Sequence, residues 1–197
     1  MAPPISLVGQ IAKDYPFYNI KRFNNLNGGF ILVSLKKSHS WKWDKRFLEL
    51  AKLTSSWSKD PSTKVGCVIV DRKNRVLSVA YNGFPCGVDD DDKHYSDREV
   101  KLQRTIHAET NAIIFAKQDL EGCTMYVFPL PSCASCATKI IQTGIARVVT
   151  IRPTREQEDR WGDSFKVSYK MFKEAGVEVN LVTKEELECA SETQQKE

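Results

Sequence analysis

Residues 124–151 read TMYVFPLPSCASCATKIIQTGIARVVTI, and this stretch sets the architecture. The run 124–128 is β-branched and aromatic, as a strand requires. Residues 133–143 then read as a helix, and Gly144 stands where a left-handed cap closes one. Residues 147–151 are a second β-branched run. A strand, a helix and another strand in close succession predict parallel pairing, because a helical crossover returns the chain to the same end of a sheet.

Working outward, the same alternation continues. Trp43, Phe47, Leu50, Ala51 and Leu53 recur at helical spacing up to about Trp57, and Asp60-Pro61 ends that helix. Residues 65–71 and 76–81 are apolar runs joined by Arg72-Lys73-Asn74-Arg75, which predicts a hairpin. Asn82-Gly83-Phe84-Pro85 reads as a turn followed by an acidic loop. Residues 106–117 read as a buried helix, nearly encircled by apolar side chains such as Ala108, Ala112, Ile113 and Phe115. A helix over 164–175, stopped by Gly176, and a strand over 177–181 complete the pattern. The expectation is an α/β fold: about five strands in a mixed sheet with helices on both faces, a three-layer α/β/α arrangement.

Three regions follow: an extension over 1–40, a domain over 41–183, and a polar tail over 184–197 expected to fray after a final helical turn. The extension has Pro, Gly and Asn clusters and no sustained period. It reads equally as a segment packed on the core or a neighbouring subunit and as a disordered arm.

Composition excludes several classes of function. Of 197 residues, 29 are basic and 25 acidic, a net charge of +4 that is too small to argue for duplex nucleic acid. It still accommodates a small phosphate. No apolar run approaches the roughly 20 residues of a membrane span. The first residues lack the basic region and long apolar segment of a secretory signal. The expected location is therefore the cytoplasm, where the six cysteines stay reduced and read as core residues or metal ligands.

Unusual chemistry concentrates at two helix N-termini. One holds His107-Ala108-Glu109, the other Cys133-Ala134-Ser135-Cys136. Zinc prefers nitrogen and thiolate donors, and a catalytic site uses three protein ligands with one position open. A helix start points both sulfurs one way and favours their thiolate form. His107 is the one of three histidines, with His39 and His94, that adjoins a carboxylate on a helix expected to be buried. Glu109, two residues on, cannot share the metal-facing ray squarely and suits a proton carrier better than a ligand. By itself, a single Cys-x-x-Cys would also fit a structural zinc site or reduced core cysteines. A structural site would normally be closed by a fourth ligand, and the nearest candidates, Cys86 and Cys123, lie outside the motifs.

The constellation matches the His-x-Glu and Cys-x-x-Cys signature of zinc deaminases. From about Trp43 to Val182 the chain resembles the deoxycytidylate branch of the cytidine deaminase superfamily. The resemblance is carried by Ser58-Lys59-Asp60-Pro61-Ser62-Thr63-Lys64-Val65-Gly66, Tyr81-Asn82-Gly83-Phe84-Pro85, Arg104-Thr105-Ile106-His107-Ala108-Glu109 and Ile140-Ile141-Gln142-Thr143-Gly144-Ile145. Arg160-Trp161-Gly162-Asp163-Ser164-Phe165 is similar to bacterial and viral members. The family usually has proline before its first cysteine, where this chain has Ser132. Either the serine replaces the proline or one residue has been inserted.

The resemblance implies a cytidine-deaminase-like fold and hydrolysis of dCMP to dUMP and ammonia, with zinc on His107, Cys133 and Cys136. Zinc-bound hydroxide would be the nucleophile and Glu109 the proton shuttle. It also implies a substrate site in which Asn82 contacts the sugar, backbone donors near Ala108 and Cys133 orient the base, and Arg104 meets the phosphate with Lys59 and Lys64 behind it. Some relatives carry a second metal, for which Cys86 and His94 are candidates. Others respond to a regulatory nucleotide, which could bind here through Mg²⁺ near the acidic run 89–92. Relatives are commonly homo-oligomers, often hexamers. The alternatives are a deaminase for a modified deoxycytidylate or free cytidine, and a non-catalytic zinc-bound scaffold or nucleotide sensor. Transfer-RNA adenosine and guanine deaminases fit less well, since they lack the Ser-Lys-Asp-Pro segment.

Overall fold

A computed structural model describes residues 41–189 of the chain. The N-terminal extension with His39, and the tail after residue 189, lie outside the described residues. Five strands form one sheet in the order β2-β1-β3-β4-β5: β1 (Gly66–Val70), β2 (Val76–Tyr81), β3 (Thr124–Phe128), β4 (Arg147–Ile151) and β5 (Glu178–Val182). β1 runs antiparallel to both β2 and β3, whereas β3, β4 and β5 are parallel. The mixed sheet and its parallel second half agree with the sequence reading.

The hairpin between β1 and β2 is shaped by its turn residues. Asp71 Oδ1 accepts from the backbone N–H groups of Lys73 and Arg75, at 2.8 and 2.9 Å. Asn74 takes the left-handed conformation, φ 61°, that asparagine tolerates better than most residues.

Helices cover both faces. α1 (Trp41–Ser55) lies on one; α4 (Ala108–Ala116), α5 (Ala134–Gln142) and α6 (Arg155–Ala175) lie on the other. Between this second group and the sheet, Ile69, Met125, Val127, Ala112, Ile140 and Phe172 form part of a continuous buried core. On the α1 face, the Phe47 and Tyr126 rings meet at 5.1 Å. Beside them, Asp44 accepts hydrogen bonds from Tyr126 Oη and from both terminal nitrogens of Arg147, each at 2.8 Å. That carboxylate ties α1, β3 and β4 together. Trp43 stacks on Phe47, and Trp57 meets the Tyr81 ring edge-on.

Three expectations are corrected. The segment after the Pro85 turn is not simply an acidic loop: α2 (Asp92–Ser96) and α3 (Arg98–Arg104) lie there. Asp91 caps α2, and Asp97 caps α3 by accepting from the N–H groups of Glu99 and Val100. α6 begins at Arg155, well before residue 164, because Thr154 and Gln157 form a reciprocal capping box. Gly162 is carried inside that helix at a cost of about 1 kcal/mol relative to alanine. Finally, α4 is buried on one face only. Ala108, Glu109 and Ala112 face inward, while Ile114 and Phe115 are 53% and 58% exposed.

The polar segment from residue 184 opens with α7 (Lys184–Cys189), whose Leu187 is buried. No helix among the described residues is long and apolar enough to cross a membrane.

Candidate active site

The site forms at one end of the sheet, where β2 ends, β1 begins and β3 runs out. Register aligns Gly66 with both Tyr81 and Phe128, so the flanking segments meet there. Clefts at the carboxyl ends of parallel strands are the usual ligand positions of α/β sheets.

Each candidate metal ligand is presented by a helix start. His107 is the N-cap of α4, and the residue before it is fastened to the end of β2 by a two-way backbone bridge between Ile106 and Gly83. Cys133 is the N-cap of α5, with Cys136 one turn on. The start of α5 is tied to α6 by the hydrogen bond from Ala134 N–H to Ser164 Oγ, 3.0 Å.

His107 Nδ1 lies 3.5 Å from Cys133 Sγ and 3.3 Å from Cys136 Sγ. The three donor atoms all lie within 4.8 Å of one another. Tetrahedral zinc with ordinary bond lengths sets nitrogen and sulfur about 3.6 Å apart, so the spacing fits that ion. Among the described residues the group has three members, and Glu109 is not one of them. One nitrogen and two sulfurs with a position to spare is the donor set of a catalytic zinc site. Thr110 Oγ1 stands 3.8 Å from Cys136 Sγ as a supporting hydroxyl.

The hydrogen bond from Cys136, aided by the imidazole of His107, lowers the Cys133 thiol to about 4, while the same contact and burial push Cys136 up. The Cys133 sulfur in turn raises the His107 imidazole above its ordinary value. Glu109 is 3% exposed, and burial raises its carboxyl above the usual carboxylate range against the opposing pull of His107.

A cavity of about 310 Å³ opens over this group. His107, Ala108, Glu109 and Cys133 are among its lining residues. Asp60, Asn82, Tyr95 and Lys101 contribute another wall, and Arg160, Trp161 and Phe165 reach in from α6. Asn82 thus lines the cavity, with its carboxamide holding the 63–65 loop: Oδ1 accepts from Val65 N–H at 2.8 Å and Nδ2 donates to the Thr63 carbonyl at 3.0 Å.

Lys59, Lys64 and Arg104 are not among the lining residues. Lys59 instead pairs with Asp90 at 2.6 Å on the surface. Sequence reasoning missed Arg98, Lys101 and Arg160, which do line the cavity. Lys101 is buried against Asp60 at 3.1 Å, a pair separated by 41 positions that no local spacing announces. Only the Arg160-Trp161 segment left a trace, among the motifs.

The acidic run is more ordered than a solvated loop. Asp89 holds His94 at 2.9 Å, and Asp90 accepts from Tyr95 Oη at 2.6 Å. Cys86 and His94 join no group of three potential ligands among the described residues.

Comparison with known proteins gives the same picture. Residues 41–152 match the cytidine and deoxycytidylate deaminase zinc-binding region. A deaminase from the luxG 3′ region of Aliivibrio fischeri, of uncharacterised activity, is 53% identical over 138 residues, covering 70% of this chain and 92% of that protein. Human deoxycytidylate deaminase is 35% identical over 154 residues, covering 74% and 83%. The crystal structure of the dCMP deaminase of cyanophage S-TIM5 with dCMP and dUMP superposes with a TM-score of 0.57. It covers 72% of this chain and 97% of that one, and at 21% identity the likeness is one of fold.

Proposed function

The chain belongs to the family of zinc-dependent cytidine and deoxycytidylate deaminases, and from that premise we propose that it hydrolyses dCMP to dUMP and ammonia. The observation that carries this reading is the convergence of His107, Cys133 and Cys136, two of which line a cavity together with the buried Glu109.

Zinc held by those three residues supplies Lewis-acid activation of the attacking water. Glu109 does the proton work. Its carboxylate takes a proton from the water as oxygen bonds to C4 of the pyrimidine, and delivers it to N3. It then carries the second proton from the new C4 hydroxyl to the exocyclic nitrogen, the C4–N bond breaks and ammonia leaves. Water adds one oxygen and two hydrogens, and the products account for both. Burial of Glu109 and Ala108 excludes bulk water from the reacting edge and keeps the carboxyl in one place. Asn82, whose amide is already oriented by Val65 and Thr63, offers its remaining hydrogen-bonding capacity to the sugar.

The decisive experiment measures ammonia release from dCMP, methylated dCMP, cytidine, dCTP and guanine by the zinc-loaded full chain. Turnover highest on dCMP supports the proposal. Preference for cytidine or the methylated nucleotide redirects it within the family, and zinc and nucleotide binding without ammonia release on any substrate refutes it.

A further inference from the structure

Resting on the deaminase reading, we infer that Ser132 is a positioning residue for the reaction, its buried hydroxyl holding the Glu109 carboxylate in place through the proton cycle. Ser132 stands immediately before Cys133, where the family usually has proline, and it is 2% exposed. Its Oγ completes no hydrogen bond among the described residues. A buried hydroxyl without a partner weakens a fold, and alanine or proline at 132 would carry no such cost. The surroundings show which group the hydroxyl serves. Pro131 and Cys133, on either side of it, line the cavity together with Glu109. Burial raises the Glu109 carboxyl; His107 opposes that rise first, then the backbone of Glu109 itself, and the Ser132 hydroxyl adds to the pull. Oγ therefore reaches the carboxyl but falls short of a completed hydrogen bond.

The chemistry of the two groups matches. An ionised carboxylate only accepts, and a protonated one also donates. A serine hydroxyl has one O–H and two lone pairs, so it donates to Glu109 before the water is attacked and turns to accept once the carboxyl bears the proton. A methyl group or a proline ring does neither. The other hydroxyls of the two motif segments are committed elsewhere: Thr110 Oγ1 stands 3.8 Å from Cys136 Sγ, and Ser135 Oγ accepts from Lys139 Nζ at 3.0 Å. Ser132 is not among the cavity's lining residues. It thus bears on the carboxylate and leaves the nucleotide's own contacts alone, an effect on turnover rather than on substrate affinity.

The test is a double-mutant cycle on the zinc-loaded full chain: wild type, Ser132→Ala, Glu109→Gln and the double variant, with dCMP as substrate. Ser132→Ala is expected to lower kcat about tenfold or more, the size of a lost hydrogen bond to a charged group. KM for dCMP and zinc content by atomic absorption should hold. The urea midpoint should equal or exceed that of the wild type, since alanine removes a buried hydroxyl that the fold does not use. In the Glu109→Gln background the same substitution should change kcat less than about twofold, because the proton carrier it acts through has gone. The inference is overturned if Ser132→Ala turns over as the wild type does, if zinc or stability is lost along with rate, or if both backgrounds slow alike. A crystal structure of the zinc-loaded wild type separates this from the deaminase reading. Ser132 Oγ within hydrogen-bond distance of a Glu109 carboxylate oxygen supports the inference, and Oγ bonded elsewhere refutes it. Should the wild type release ammonia from no nucleotide, the deaminase reading fails, and the structure still decides the contact.

Discussion

Glu109 and His107 lie two positions apart at the start of one helix, yet their side chains are placed differently. The imidazole belongs to the donor group and the carboxylate does not. Glu109→Gln therefore separates metal binding from proton transfer. It is expected to lower kcat on dCMP by about 100-fold or more, the usual worth of a positioned acid–base group. Zinc content, read by atomic absorption, should remain one per chain. These residues were legible because sequence neighbours at a helix start are also neighbours in space. Arg98 and Arg160 were not, since they meet the cavity from helices 62 positions apart in the chain.

At the level of elements, α1 approaches β1 so closely that only glycine fits at the strand's first residue. A methyl group on Gly66 would overlap the carbonyl oxygen of Ala51 and crowd Ser55 N. Gly66→Ala is expected to cost about 1–3 kcal/mol, the range for overpacking, visible as a lower urea midpoint with an unchanged slope. On the same face, Arg147→Leu takes the guanidinium away from the buried Asp44 carboxylate. A loss of about 3–5 kcal/mol is expected for breaking a buried pair from one side, measured by thermal melting. Periodicity revealed the strands and α5 nearly to the residue, because apolar runs and closing glycines are local signals. It stopped short on α6, whose first turns are charged and interrupted by Gly162, and it missed α2 and α3, which rest on aspartate caps within a polar run.

Across the whole molecule, stability should form a plateau with two edges. Asp71, Asp89 and Asp90 are held below the ordinary carboxylate value, Asp71 by the Arg75 backbone first, Asp89 by His94 and Asp90 by Lys59. Their contribution is complete above the unfolded value of about 4 and disappears as pH falls through the lower folded values. Lys59, raised by Asp90, behaves in the opposite sense: its share is complete below about 10.4 and is lost as pH rises through the folded value. Asp90→Asn should therefore flatten both edges of a plot of urea midpoint against pH. The same long view bears on α6. It supplies Trp161 to the cavity wall near one end and anchors itself through Phe172, 1% exposed, toward the other. Eleven residues of helix separate them, about 16 Å at 1.5 Å per residue. A rod of that length behaves as a lever, so Phe172→Ala should loosen the grip on nucleotide as well as the fold, with KM for dCMP rising in a protein whose reacting groups are untouched.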